Sequence, residues 1–148
     1  DADSLLPVIY KTMKDRGVTT PLSSEEWVAD ARKKGSHLIG RLKRMITNSG
    51  HIPDLAGVGN LIITPNGEIC LVDINNISPV YSDSTIPLDE KGYPVCDKSV
   101  EALSLIEKKI VGQSINMEEK LYKQFLTSQR KNLVQEKVEL FSEQFEGE

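Results

Sequence analysis

The sequence predicts an α+β domain dominated by helix. Two observations carry that reading. Apolar residues Trp27, Val28, Ala31, Leu38, Ile39, Leu42, Met45 and Ile46 recur at helical spacing. Two short β-type runs, 61–64 and 68–74, then flank Pro65-Asn66-Gly67. A two-stranded hairpin is marginal by itself, so this one must lie on the helices. With 148 residues and 39% hydrophobic content, one domain over 1–148 can bury a core without disulfides or a structural metal.

The elements follow in order. Residues 1–20 form a lead-in, with Leu5, Leu6, Val8, Ile9 and Met13 in a helical pattern that stops at Gly17. Ser23 and Glu26 have capping-box spacing, and Leu22 and Trp27 are placed as the accompanying hydrophobic staple. The long helix ends at Asn48–Gly50, with Arg41, Lys43 and Arg44 read as complements to its C-terminal dipole. Pro65 sets the first corner of the hairpin turn, and Asn66 or Gly67 takes the left-handed position after it. Residues 75–96 hold Pro79, Pro87, Gly92 and Pro94 without periodicity and read as a long loop. Asp97 is placed as the N-cap of a helix reaching Val111, with Gly112 as its stop. Asn116 and Glu119 read as a second capping box, opening a C-terminal helix within 113–148.

Composition narrows the function classes. The net charge is −4 and the lysines are scattered, so no basic stripe points to nucleic acid. No apolar run has the length of a membrane span and no signal peptide is visible. Cys70 and Cys96 have neither metal-ligand nor disulfide spacing, which fits a reducing cytoplasm. The first residue is Asp1 rather than Met, so a longer parent protein is expected.

The chemistry concentrates in His51-Ile52-Pro53-Asp54-Leu55-Ala56-Gly57-Val58-Gly59-Asn60, followed after the hairpin by Asp73-Ile74-Asn75. This stretch, within residues about 23–111, resembles the C-terminal lobe of the protein-kinase-like superfamily, nearest its small-molecule branch with the aminoglycoside kinases. That family sets a His, an Asp and an Asn on a loop after a long helix, then a hairpin ending in a metal-binding Asp. The resemblance implies that Asn60 and Asp73 bind Mg²⁺ and, through it, ATP. It also implies that Asp54 accepts or orients the attacking hydroxyl's proton, and that His51 braces the loop. Asp97 resembles the family's buried Asp that anchors the loop through backbone N–H groups.

The spacing from Asn60 to Asp73 matches the family's, whereas the gaps from His51 to Asp54 and from Asp54 to Asn60 are each longer by one. No nucleotide-gripping lobe with a strand lysine precedes the long helix, and Gly57-Val58-Gly59 does not open a helix as a phosphate cradle does. Two functional readings therefore stand. One is the C-lobe of an ATP-dependent phosphotransferase whose N-lobe is not in this chain. The other is a kinase-derived, pseudokinase-like module used for binding or dimerisation, as a homodimer exchanging its last helix. An unrelated α+β domain with coincident spacing is the bland alternative. Residue by residue, Asp54 after Pro53 is also a plausible turn former, Asn60 a loop residue, Asp73 a strand-ending turn residue and His51 a helix C-cap.

Overall fold

The computed structural model describes residues 4–73 and 76–147. Ile74, expected to end the second strand, and Asn75, the last residue of Asp73-Ile74-Asn75, lie outside the described residues. The chain is α+β with helix predominant. Its order is α1 (Leu6–Asp15), α2 (Ser24–Ser49), β1 (His51–Pro53), β2 (Leu61–Ile63), β3 (Ile69–Leu71), β4 (Ile77–Pro79), α3 (Val95–Leu105), α4 (Lys120–Phe125) and α5 (Ser128–Glu146). Among the described residues no helix is long and apolar enough to cross a membrane.

The long helix starts where its capping box lies. Ser23 Oγ accepts from Glu26 N–H at 3.3 Å, and Glu26 Oε2 accepts from Ser23 N–H at 3.2 Å. Its apolar face splits between two clusters. Trp27 and Ala31 pack on Leu6 and Tyr10 of α1, while Ile39, Leu42 and Ile46 join Ile52, Leu55, Val100, Leu103, Tyr122 and Phe125 in the main core. The hairpin tip docks on the first of these. Trp27 Nε1 donates to the Pro65 carbonyl at 2.9 Å, and Lys34 Nζ donates to the Asn66 carbonyl at 2.9 Å. Gly67 takes the left-handed position, at φ 77°, and a Cβ there would stand 3.1 Å from Ala31 Cβ. The turn thus needs glycine both for its backbone and for its seat on α2.

Four expectations are corrected. The stretch 75–96 is not loop throughout, because β4 pairs antiparallel with β1, with Ile52 opposite Ser78. Asp97 is not an N-cap: α3 begins at Val95, and Asp97 sits buried in its first turn. Asn116 and Glu119 make no capping box, because Asn116 Oδ1 accepts from Glu118 N–H and the Glu119 carboxylate pairs with Lys43. The C-terminal helix expected within 113–148 is two helices, α4 and α5, and Thr127 Oγ1 caps the second by accepting from Arg130 N–H at 3.1 Å.

α3 runs into one π-helical turn, Ile106–Ile110, closed by Val111 N–H to the Ile106 carbonyl at 3.0 Å. Carbonyls of this turn find partners in the N-terminal lead. Leu5 N–H donates to Lys109 at 2.6 Å and Ser4 Oγ to Ile110 at 3.1 Å, which fastens α1 to the far side of the core.

Candidate active site

Two antiparallel pairs, one nested inside the other, bring the backbone of Asp54, Asn60 and Asp73 together. β1 ends at Pro53, whose partner is Ile77, the first residue of β4. The excursion that leaves at Asp54 therefore returns beside its own starting point. Inside it, β2 and β3 pair Leu61 with Leu71, and Val72 N–H donates to the Asn60 carbonyl at 2.9 Å. The open end of the hairpin thus carries Asn60 and Asp73 on adjacent backbone segments. Asn60 Nδ2 donates to the Asp54 carbonyl at 2.9 Å, which closes the three segments into one hydrogen-bonded unit.

That bond also sets the amide's orientation. An Asn side chain has one oxygen acceptor and one NH₂ donor, so committing Nδ2 to a carbonyl leaves Oδ1 as the side-chain atom that could ligate a cation. Asp54 is arranged in a similar way. Its Oδ1 accepts from Ala56 N–H at 3.1 Å and Gly57 N–H at 2.9 Å, an Asx-type turn that holds the carboxylate in one rotamer. Gly57 lies between the two side chains: a Cβ there would be 2.4 Å from Asn60 Nδ2 and 3.0 Å from Asp54 Oδ2. The longer gap between Asp54 and Asn60 is taken up by a turn, with Asn60 N–H on the Gly57 carbonyl at 3.2 Å and Val58 fully exposed at its tip.

The remaining expected residues fall as follows. Asp73 follows β3 and is exposed at the open end of the hairpin. His51 is exposed on β1, and its Nδ1–H donates to the Ser49 carbonyl at 2.8 Å. The ring thus satisfies the last carbonyl of α2, whose C-cap is Gly50 in the left-handed position at φ 67°. Asp97 is buried but does not hold that loop; it forms a two-pronged ion pair with Arg130 of α5, Nε to Oδ2 at 2.8 Å and Nη2 to Oδ1 at 3.0 Å. The loop anchor is Ser99, fully buried on α3, whose Oγ accepts from Leu55 N–H at 3.2 Å.

Nothing in the sequence marks Ser99 as this anchor. Burial, then the negative charge of Asp54, Glu101 and Asp89, push the Tyr93 phenol up. Ser99 was visible only as a polar residue between the apolar Val95 and Val100, a pattern that names no partner.

Among the described residues no group of three or more His, Cys, Asp or Glu side chains could hold a metal unaided. The pair Asn60 and Asp73 suits a cation that takes one or two protein oxygens and completes its shell with water and phosphate, which is how Mg²⁺ is commonly held. Compared with protein-family models, curated proteins and solved structures, the chain matches none of them.

Proposed function

We propose that this chain is the C-lobe of a kinase-like, ATP-dependent phosphotransferase, working with an N-lobe that is not in this chain. The observation that carries the reading is the hydrogen-bonded unit of Asp54, Asn60 and the strand leading to Asp73. Asn60 Oδ1 and the Asp73 carboxylate would hold Mg²⁺, and with it ATP. The bound ion would neutralise phosphate oxygens during transfer. Asp54, its rotamer held by the Ala56 and Gly57 N–H groups, would orient the acceptor hydroxyl. His51 lies outside this unit and has no part in the mechanism as proposed. Exposed Val58, Ile62, Val72, Ile77 and Leu105 give a covering lobe apolar surface to rest on. The free thiols of Cys70 and Cys96 agree with a cytoplasmic setting.

The cation site can be tested on the chain alone. Mn²⁺ titration followed by amide NMR should broaden residues 54–60 and 72–73, and Asp73→Ala should abolish that pattern. MgATP binding by the chain joined to its N-lobe should be lost in the same variant. If Mn²⁺ leaves those amides sharp at millimolar concentration, the reading is wrong.

One set of observations favours the second reading, a non-catalytic binding or dimerisation module. Asp54 is 8% exposed and satisfies its own loop, which is sufficient reason for an Asp there without chemistry. Leu133 and Leu140, a heptad apart on α5, are both exposed, as a self-pairing helix requires. Light scattering before and after Leu140→Glu tests the dimer: a dimer that dissociates in the variant supports the module, and a wild-type monomer rejects dimerisation.

A further inference from the structure

The cleft between α2 and β3 has chemistry that the candidate active site does not use. Its volume is about 610 Å³, within the range of small-molecule sites. One wall is a single face of α2, on which Lys34, His37, Arg41 and Arg44 follow at helical spacing. The opposite wall is Glu68, Ile69 and Cys70.

The cations of α2 are used unequally. Lys34 is spoken for, by Asp30 at 2.8 Å and by the Asn66 carbonyl at 2.9 Å. Lys43 turns inward to Glu107 and Glu119, each at 2.9 Å. Arg41 and Arg44 make no ion pair with any described residue, although the chain as a whole has an acidic excess of −4. The helix dipole does not account for them either: α2 ends at Ser49, no basic residue lies in its last turn, and the dipole's influence fades within that turn. Two guanidiniums one turn apart repel slightly unless an anion lies between them.

Gly40, the residue before Arg41, also lines the cleft, and the Arg44 guanidinium lies over it, with Nη1 3.5 Å from where a Cβ would stand. Guanidinium forks match phosphate oxygens in pairs, and two neighbouring forks match a ligand with more than one phosphate charge. The concavity is too short and the chain too acidic for a nucleic-acid track.

We propose that this cleft binds a small molecule bearing a diphosphate or equivalent polyphosphate group, held by Arg41 and Arg44 with His37 and Ser36 at its edge. The proposal does not rest on the phosphotransferase reading, and its test separates the two. Pyrophosphate, with EDTA present to exclude metal, is titrated into the wild-type chain and followed by amide NMR. Shifts centred on residues 36–44 and 68–70 are expected, with affinity falling as salt is raised. The double variant R41Q/R44Q should bind about tenfold or more weakly, the loss of roughly one ion pair's worth of affinity or greater. Both arginines are exposed, so its circular dichroism should match wild type. R41K/R44K, which keeps charge but not the forks, should fall between. Asp73→Ala should leave pyrophosphate binding unchanged. No shifts at about 10 mM, far weaker than a ligand-class site, would overturn the proposal. So would equal affinity in R41Q/R44Q, or shifts centred on 54–60. A glutamate-rich peptide that moves the cleft amides where pyrophosphate does not would also overturn it, in favour of a peptide site.

Discussion

Gly57 decides how tightly the candidate site is built. Any side chain there enters space held by the Asn60 amide, which is pinned to the Asp54 carbonyl. Gly57→Ala must therefore break that bond or move the loop, and should cost about 1–3 kcal/mol, the usual range for forcing a methyl into a filled space. Urea denaturation measures the cost, and the Asn60 side-chain NH₂ resonances report the broken bond. An unchanged midpoint with unmoved resonances would mean that the loop is looser than its geometry. Asp54 calls for a pair of variants. Asp54→Asn keeps an oxygen to accept from Ala56 and Gly57, so the fold should hold within about 1 kcal/mol, the worth of a typical hydrogen bond. Asp54→Ala leaves two loop N–H groups without their acceptor and should cost about 1–3 kcal/mol. If Asp54 also serves phosphoryl transfer, the Asn variant joined to the N-lobe should fold normally and turn over at least 100-fold more slowly, on the order of a lost general base. Full activity in Asp54→Asn would reduce Asp54 to a turn former.

At the scale of elements, a buried ion pair joins α5 to the rest of the chain, alongside Lys137 Nζ, which donates to the Ile86 carbonyl at 2.6 Å. Arg130 is fixed by Asp97 on two oxygens, donates to the Thr85 carbonyl at 3.2 Å, and lies over the Phe125 ring at 4.8 Å. One residue thus joins α3, α4, α5 and the segment after β4. Both partners are buried, so removing one leaves the other's charge uncompensated. Asp97→Ala or Arg130→Met should each cost about 3–5 kcal/mol, with the double variant recovering part of the loss. A thermodynamic cycle with no coupling between the two would contradict this account. The same pair shows where sequence reasoning stopped. Signals within a few residues were legible: the Ser23–Glu26 box, the Pro65-Asn66-Gly67 turn and the apolar face of α2 all formed as expected. Partners separated by long stretches were not. Asp97 looked like an N-cap because its local sequence resembles one, but its partner is 33 residues away. β1 and β4 are three residues each and both hold a proline, so neither has the length or alternation that marks a strand. At the candidate site the spacing of Asn60 and Asp73 was readable because one hairpin sets it, while the loop's anchor, Ser99, belongs to a distant helix.

Across the whole molecule, one polar network ties the helices together and gives stability an alkaline limit. Lys43 of α2 bridges Glu107 of the π-helical turn and Glu119 at the start of α4, and Tyr122 of α4 donates its hydroxyl to Glu107 at 2.5 Å. Burial alone would lower the Lys43 pKa, but its hydrogen bonds to Glu119 and Glu107 outweigh that and raise it. Burial, then the hydrogen bond to Glu107 and the charges of Glu107 and Glu119, hold the Tyr122 phenol well above its usual range. Burial, then the charge of Asp97, push the Cys96 thiol from 9.0 up to about 12, with Arg130 opposing. All three groups keep their proton in the folded chain at a pH where the unfolded chain releases it. Their contribution is therefore complete below the unfolded values, and is lost as pH rises from those values through the folded ones. Stability should be level near neutrality with respect to these groups and fall progressively above about pH 9, where unfolded Cys and then Tyr and Lys begin to titrate. Tyr122→Phe isolates one contribution. At neutral pH the variant loses the bond to Glu107, whose Oε2 still has Lys43 at 2.9 Å, so the cost should be about 1–2 kcal/mol. Above pH 10 the wild type loses the Tyr122 contribution while the variant has none to lose, so the two urea midpoints should converge. Midpoints that stay the same distance apart from pH 7 to the alkaline limit would show that Tyr122 does not hold its proton through the network.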